Sequence, residues 1–232
     1  MNERIRNAWV WARKHGIISM ALVLVAVLSV RSAIADWNDV PTGSMKPTIL
    51  IGDRIFVNKL AYDLKFPFTE WRLATWDDPD RGDIVTCWSP ENGSRLVKRV
   101  VGIPGDTIAM QAGRLMINGQ PLDYLPADEE TMVALMGEDA TGKLFYTEDL
   151  VGVKHSVAYQ PDKRALRDFG PVAIPEDQFF MMGDNRDNSA DSRYFGFVDR
   201  SAIIGQATGV ALSLDYDNWY LPRWSRFFSK LL

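Results

Sequence analysis

The feature that most constrains this chain is an apolar run close to its N-terminus. Residues 16–30 carry no charged side chain, and the apolar character continues past Arg31 to Ala35. As a helix rising about 1.5 Å per residue, residues 16–35 span roughly 30 Å, which matches the hydrocarbon core of a bilayer. Arg31 lies near the far end, where its long side chain reaches the headgroups. The run predicts a single transmembrane anchor over residues 16–35.

Charges on the two sides of the run predict its orientation. Four basic side chains and one acidic side chain precede it, whereas basic and acidic residues balance between Arg31 and Lys46. By the positive-inside rule, residues 1–15 form a cytoplasmic N-terminus and residues 36–232 an extracytoplasmic domain.

Two other interpretations of the run stay open at this point. The basic start, the apolar segment and Ala33-Ile34-Ala35, which matches an A-x-A cleavage site, are typical of a cleaved signal peptide. A buried core helix is the third interpretation, although charges flank the run rather than interrupt it. Whether the run is a transmembrane anchor or a cleaved signal peptide, the domain after residue 35 is exported and carries the function.

Composition excludes several classes of function. The residues are 47% hydrophobic and 24% charged, as in an ordinary folded domain rather than a disordered or collagen-like chain. A net charge of −4 offers no basic surface for nucleic acid. The single cysteine, Cys87, excludes an internal disulfide and cysteine-based metal clusters, and two histidines are too few for a typical histidine-rich metal centre. We expect Cys87 in the core and no nucleic-acid partner.

Beyond Asp36 the pattern favours strands, which predicts a mainly β fold built on an antiparallel sheet. Asn118-Gly119 is a strong hairpin signal, and only residues 128–136 favour a helix. Residues of about 120–175 are charged, weakly periodic and rich in proline, so we expect an insertion in one β core. The aromatic and basic tail after Trp219 either lies at the bilayer interface or packs on that core. Candidate strands are 54–58, 83–88, 96–103, 107–110, 115–117, 178–182, 196–198 and 202–214.

Ser44 lies in a constrained turn just beyond the predicted anchor, between Gly43 and Pro47. A serine hydroxyl is a poor nucleophile until a base removes its proton. His15 precedes the anchor, and His155 falls in the insertion without an acidic neighbour in sequence. We therefore expect a surface histidine at position 155 and no Ser-His-Asp triad.

Lysine replaces histidine as a base when burial lowers its pKa by roughly 3 units, at a cost of about 4 kcal/mol. Lys98 lies in the strand-like run 96–103, and strand alternation puts Arg99 on the opposite face. An ordinary lysine at a sheet edge is the alternative.

A third feature is the run 183–196, dense in Asn, Asp, Ser and Arg, which follows an apolar strand. Asx and Ser side chains satisfy backbone groups in tight turns, and Asp–Arg pairs hold such turns rigid. Arg186 and Arg193, and the lack of a following bidentate glutamate, argue against a calcium loop.

With these features the sequence closely resembles the bacterial type I signal peptidases, membrane-anchored Ser–Lys proteases that remove signal peptides from exported proteins. The matching blocks, in the family's order, are 41–48, 81–85, 98–106 and 183–196. The resemblance implies that Ser44 is the nucleophile and Lys98 the general base. It also implies an oxyanion hole formed by the Ser44 backbone N–H and the hydroxyl of Thr42, where many members have serine.

The resemblance implies supporting roles for other residues. Ser189 falls where the family has a serine that orients the lysine, and Asp191 and Arg193 match a salt-bridged pair that supports the active-site turn. Shallow apolar pockets, which would select small residues at the −1 and −3 positions of a substrate, are implied at Val40, Met45, Ile49, Leu96 and Val97.

The family further implies a mainly antiparallel β fold and a reaction without metal or cofactor. Its implied partners are signal peptides of exported preproteins and the lipid bilayer. The implied location is the bacterial inner (plasma) membrane, single-pass, with the catalytic domain outside the cytoplasm. Because the family cuts after Ala-x-Ala, the motif at residues 33–35 raises the question of self-cleavage.

Three alternatives are kept beside this hypothesis. A dedicated peptidase would process one pilin or one conjugation or secretion subunit, with the option of passing the acyl group to an amine. A cytosolic self-cleaving repressor would need a DNA-binding segment in place of the apolar run. A non-enzymatic, membrane-tethered β module that binds exported chains would leave Ser44 and Lys98 dispensable.

Overall fold

The computed structural model describes residues 3–231, and within them an N-terminal helix precedes a mainly antiparallel β structure, as the sequence predicts. Met1, Asn2 and Leu232, the ends of the predicted cytoplasmic segment and extracytoplasmic domain, lie outside the described residues. The helices are α1 (Glu3–Ala33), α2 (Glu129–Met136) and α3 (Ser192–Phe195). The strands are β1 (Ala35–Asp39), β2 (Asp53–Asn58), β3 (Asp63–Lys65), β4 (Arg72–Thr75), β5 (Ile84–Trp88), β6 (Arg95–Gly102), β7 (Thr107–Gln111), β8 (Arg114–Ile117), β9 (Gln120–Pro121), β10 (Asp123–Pro126), β11 (Leu144–Leu150), β12 (Val153–Tyr159), β13 (Phe169–Ala173), β14 (Gln178–Met182), β15 (Val198–Asp199), β16 (Ile203–Asp215) and β17 (Leu221–Pro222).

Helix α1 carries the apolar run. Among the described residues it is the one helix long and apolar enough to cross a membrane, over His15–Ala33, and almost none of that stretch is buried in the protein. It is therefore not a core helix. It ends at Ala33, before the predicted boundary, because Ala35 already begins β1, which pairs with β2 along its whole length. The sequence pattern missed β1 because aspartate and asparagine are poor strand formers.

The main sheet has the order β1-β2-β16-β5-β6-β14-β15, and β17 adds to β16. In β2, buried and exposed residues alternate, so Ile55 and Val57 face the core. The late strand β16 lies in the middle of the sheet between β2 and β5. The candidate strand at 196–198 is wrong in its bounds, because α3 and the Gly196 turn precede β15.

The residues predicted to form an insertion are well structured. Strands β10, β11 and β12 form a three-stranded sheet, α2 forms where the sequence predicts it, and β13 joins β7, β8 and β9. Asn118 and Gly119 adopt positive φ angles of 53° and 78° in the predicted hairpin between β8 and β9. Leu50, Phe145 and Ala158 share one apolar cluster, which packs this segment against the loop that follows β1.

The C-terminal tail packs its backbone on β16. Leu214 and Asp215 pair with β17, and Leu231 lies against the apolar cluster that contains Val40. The rings of Trp219, Trp224 and Phe228 are nevertheless exposed. The core-packing interpretation of the tail therefore holds for Leu231 but not for these three rings.

Candidate active site

Ser44 lies on the loop that connects β1 to β2. Two backbone hydrogen bonds tighten this loop, from Lys46 N–H to Gly43 O at 3.2 Å and from Ile49 N–H to Met45 O at 3.0 Å. The half-buried Ser44 side chain meets the sheet where its Oγ accepts a hydrogen bond of 2.8 Å from Nζ of Lys98. The two residues are far apart in sequence, and the fold brings them into direct contact.

Lys98 is on β6, which lies between β5 and β14, so it is not an edge lysine. Its side chain is only 3% exposed, and its Nζ donates a second hydrogen bond of 3.0 Å to Val97 O. Burial lowers the pKa of Lys98, against the opposing effect of the Asp191 carboxylate. A larger fraction of this amine is therefore neutral at a given pH than of an ordinary lysine, which is the state a general base requires.

The loop after β14 holds the backbone of the loop that carries Ser44, the predicted nucleophile; this β1–β2 loop is called the nucleophile loop below. Asn185 donates from its backbone N–H to Ser44 O at 3.0 Å and from its side-chain Nδ2 to Gly43 O at 2.9 Å. Gly183 allows this close approach, because a Cβ there would lie 2.4 Å from Ser44 O and from Ser189 Oγ. The run 183–196 predicts a rigid turn, but nothing in the sequence indicates that Asn185 contacts the Ser44 loop.

Asp191 and Arg193 form a fully buried bidentate ion pair, with N–O distances of 2.8 and 2.9 Å. Asp191 also accepts from the Gly183 N–H at 3.1 Å, so the pair braces the turn beneath Ser44. Ser189 Oγ is buried in the same turn. Within residues 3–231 it has no hydrogen-bond partner, so the expected bond to Lys98 is not formed in this conformation.

The remaining predicted site residues surround the nucleophile at different depths. Thr42 is exposed, two positions before Ser44. Leu96 is separate from the other predicted pocket residues and packs in the cluster of Cys87. The Cys87 thiol is buried as expected, and burial raises its pKa to about 12. The others lie in one apolar cluster with Ile55 and Ala207, in which the half-buried Val97 packs against the buried Val40, Met45 and Ile49.

A buried ionic network that the sequence did not reveal lies below the nucleophile loop. Arg99 binds both carboxylate oxygens of Asp184 at 2.9 and 2.8 Å, on the face of β6 away from Lys98. Arg186 binds both oxygens of Glu148 at 2.7 and 2.6 Å. Thr48 Oγ1 donates to Asp184 at 2.5 Å and so connects the network to the nucleophile loop.

His155 lies inside this network, so its predicted surface position is wrong. It is 5% exposed on β12, with Nε2 3.4 Å from Glu148 and 3.6 Å from Asp184. Burial, together with Arg99, lowers the pKa of His155 to about 4 despite the two carboxylates. No local pattern predicts this environment, because Glu148 and Asp184 approach His155 only through the pairing of β11 with β12 and the fold of the 183–196 turn.

Comparison with known proteins identifies the family that shares this arrangement. The model of the family described as signal peptidase, peptidase S26, matches residues 13–212. The chain belongs to the peptidase S26 family. It is a signal peptidase hydrolase, and cleavage of signal peptides is the activity that its relatives support.

Individual relatives of this peptidase cover most of its length. A signal peptidase I from Pseudomonas fluorescens is 36% identical over 220 residues, which covers 88% of this chain and 74% of that protein. Signal peptidase I P from Bacillus subtilis subsp. natto is 32% identical and covers 86% of this chain and 89% of that protein. A solved signal peptidase I from Enterococcus faecalis V583 is 29% identical, covers 58% of this chain and 100% of that chain, and has a TM-score of 0.35.

Proposed function

We propose that this peptidase cleaves the signal peptides of exported preproteins with a Ser44–Lys98 dyad, after small residues at the −1 and −3 positions. The observation that carries the proposal is the 2.8 Å contact between Lys98 Nζ and Ser44 Oγ at a lysine whose pKa burial lowers. His155 is not the proposed base, because its Nε2 lies beside Glu148 and Asp184 in the ionic network described above.

In the first step the neutral Lys98 amine accepts the Ser44 proton as Oγ attacks the carbonyl carbon of the substrate. The oxyanion receives hydrogen bonds from the Ser44 N–H and the Thr42 hydroxyl. Thr42 is exposed and lies two positions before Ser44. The C–N bond then breaks, Lys98 gives its proton to the leaving amine, and the acyl group stays on Ser44.

In the second step water attacks the acyl-enzyme ester. Lys98 accepts a proton from this water and returns it to Ser44 Oγ as the C–O bond breaks. Arg193, Asp191 and Asn185 do not exchange protons in this scheme. They hold the turn that positions Ser44, as their hydrogen bonds to one another and to the loop indicate.

Selection for small residues follows from the packing beside Ser44. Val40, Met45 and Ile49 are buried in one apolar cluster, and the half-buried Val97 packs against it. A surface of this kind receives a methyl group, while a larger side chain would have to displace well-packed neighbours. Leu96, the remaining residue of the proposed pockets, lies in the separate cluster of Cys87.

The proposed place of action is the outer face of the bacterial inner membrane. Helix α1 would span the bilayer once with residues 1–15 in the cytoplasm, because basic residues precede the apolar run. Residues 36–232 would then form the extracytoplasmic peptidase domain. Ser44 follows the end of α1 closely in sequence, so preprotein cleavage sites would meet it near the membrane surface.

The test is cleavage of a preprotein with an Ala-x-Ala site in detergent micelles, with the cut located by mass spectrometry. Wild type is expected to cut after the −1 alanine, and Ser44→Ala and Lys98→Ala to lose the activity. Lys65→Ala is the matched control and should keep the activity, because Lys65 is also a buried lysine of lowered pKa but its Nζ donates to Ile203 O rather than to Ser44. Activity that survives Lys98→Ala would contradict the dyad.

The oxyanion role of Thr42 is tested by two nearly isosteric changes. Thr42→Val removes the hydroxyl and is expected to reduce kcat by about 10²–10³-fold, as loss of one oxyanion donor does. Thr42→Ser keeps the hydroxyl and should retain the activity. Equal kcat values for the two variants would exclude Thr42 from the oxyanion hole.

A further inference from the structure

The β3–β4 hairpin presents an aromatic tip to solvent. Phe66, Phe68 and Trp71 are 51%, 66% and 76% exposed. Aromatic side chains bury about 150–250 Å² each when covered, so these three leave on the order of 400 Å² of apolar surface in one place. An exposed apolar patch of this size is often functional, and its aromatic composition suits a partner that covers it.

The tip is bound to the last turn of α1. The backbone N–H of Phe68 donates to Ser32 Oγ at 2.8 Å. Just before the hairpin, Lys59 Nζ donates to Arg31 O at 3.1 Å and to Ser32 O at 3.0 Å, which satisfies carbonyls at the helix end. The hairpin tip therefore lies directly beside the C-terminal end of the apolar helix.

The base of the hairpin is fixed to the β structure. Asp63 is buried and binds Arg72 at 2.9 Å and Arg200 at 3.1 Å, while Lys65 Nζ donates to Ile203 O at 2.9 Å. Phe68 itself has a φ of 63°, a conformation that is unfavourable for a bulky side chain. Contacts at the base of the hairpin and the hydrogen bond at Phe68 therefore hold the aromatic tip in its exposed position.

The position of the tip along the membrane normal follows from α1. His15–Ala33 spans about 28 Å as a helix, close to one hydrocarbon core, so Ser32 lies at its outer boundary. Aromatic rings collect at this boundary, where their apolar bodies leave water. By contrast, the exposed tail turn lies at the other end of β1, where Tyr216 Oη donates to Asp39 at 2.9 Å.

We propose that the β3–β4 hairpin tip inserts into the outer interfacial layer of the bilayer that α1 spans, and so gives the peptidase domain a second membrane contact. The inference rests on the proposed membrane anchoring by α1. With α1 and the tip as two contacts, the domain has a defined tilt relative to the membrane.

The test uses the full-length chain in vesicles of phosphatidylethanolamine and phosphatidylglycerol. Single cysteines are introduced as Phe66→Cys and Trp71→Cys and labelled with a nitroxide, whose relative accessibility to oxygen and to a water-soluble nickel complex reports depth. Leu24→Cys, in the middle of the span, is the buried reference, and Glu130→Cys, exposed on α2, is the aqueous reference. The only native cysteine, Cys87, is buried and does not compete for label.

The expected result is oxygen-rich, nickel-poor accessibility at Phe66 and Trp71, between the values at Leu24 and Glu130. If the label at Leu24 is embedded while those at Phe66 and Trp71 match Glu130, the hairpin inference is wrong and the anchor stands. If the label at Leu24 is itself aqueous, the proposed anchoring fails, and the inference fails with it.

Discussion

Lys98 is a buried amine whose neutral form, which the proposed mechanism requires, comes at a cost in stability. The unfolded chain carries this lysine charged up to a pKa of about 10.4, whereas burial lowers its pKa in the native state. Folding therefore releases a proton between the two pKa values, and wild-type stability rises with pH across that interval.

For Lys98→Met we expect activity to fall by 10⁴-fold or more, on the order seen for loss of a base in a catalytic unit. The variant is expected to be more stable than wild type near neutral pH, with a difference that shrinks as pH approaches 10. Chemical denaturation across this pH range measures the difference. A difference that does not change with pH would show that the native lysine titrates normally.

Gly183 is required by a backbone contact rather than by a turn conformation. A methyl group there would lie 2.4 Å from Ser44 O and from Ser189 Oγ, so the loop that carries the nucleophile must move. Gly183→Ala is expected to lower kcat by about 10²-fold, the effect of a displacement near 1 Å, and to reduce stability by about 1–3 kcal/mol.

Gly16→Ala is the control for this change, because a Cβ at Gly16 meets no atom within 4 Å. Peptide cleavage in detergent and thermal unfolding of both variants provide the measurements. If Gly183→Ala keeps the wild-type kcat, the loop of Gly183 and the loop of Ser44 can move apart without displacing the Ser44 hydroxyl.

At the scale of elements, the pairing of β1 determines whether the Ala33-Ile34-Ala35 motif is accessible to cleavage. Ala33 ends α1, and Ala35 pairs with Asn58 in an antiparallel strand that continues to Asp39. A protease binds its substrate in an extended, unpaired form, so the bond after Ala35 is protected while β1 stays in the sheet.

We expect the folded protein to keep its N-terminus during long incubation with excess active enzyme, whereas a synthetic peptide of residues 28–42 is cut after Ala35. The peptide is the matched control, because it has the same residues without the strand pairing. N-terminal mass spectrometry of both samples gives the result. Removal of residues 1–35 from the folded protein would show that β1 opens readily.

The predictability of the elements follows their local chemistry. Strands β2, β5, β6, β14 and β16 were predicted near their observed positions because Val, Ile and Phe recur in them, and α2 because Glu, Met and Ala favour helices. β1 was missed because its stability comes from pairing with β2. Ser44 and Lys98 were predictable from a constrained turn and an apolar strand, but the neighbours of His155 come from tertiary contacts.

At the scale of the whole molecule, the network around His155 connects four parts of the chain. Arg99 comes from β6, Glu148 from β11, His155 from β12, and Asp184 and Arg186 from the loop after β14. These charged groups surround a histidine that is neutral in the native state, because burial and Arg99 lower its pKa to about 4.

Acid should therefore destabilise the protein before its carboxylates are protonated. The unfolded chain takes up a proton on His155 below pH 6.5, whereas the native state takes it up only near pH 4, so stability falls across this window by about 3 kcal/mol. His155→Gln is expected to reduce this slope. Urea denaturation at several pH values tests it, and an unchanged slope would assign the acid sensitivity to other groups.

The central place of β16 has a consequence for the time at which the enzyme becomes active during its own synthesis. This strand follows β2, β5 and β6 in the chain and so leaves the ribosome after them, yet it separates β2 from β5 in the finished sheet. Until it arrives, β2 lacks the strand through which it joins β5 and β6 in the main sheet. A growing chain therefore cannot assemble the proposed Ser44–Lys98 dyad in its final sheet until β16 has been synthesised and added between β2 and β5.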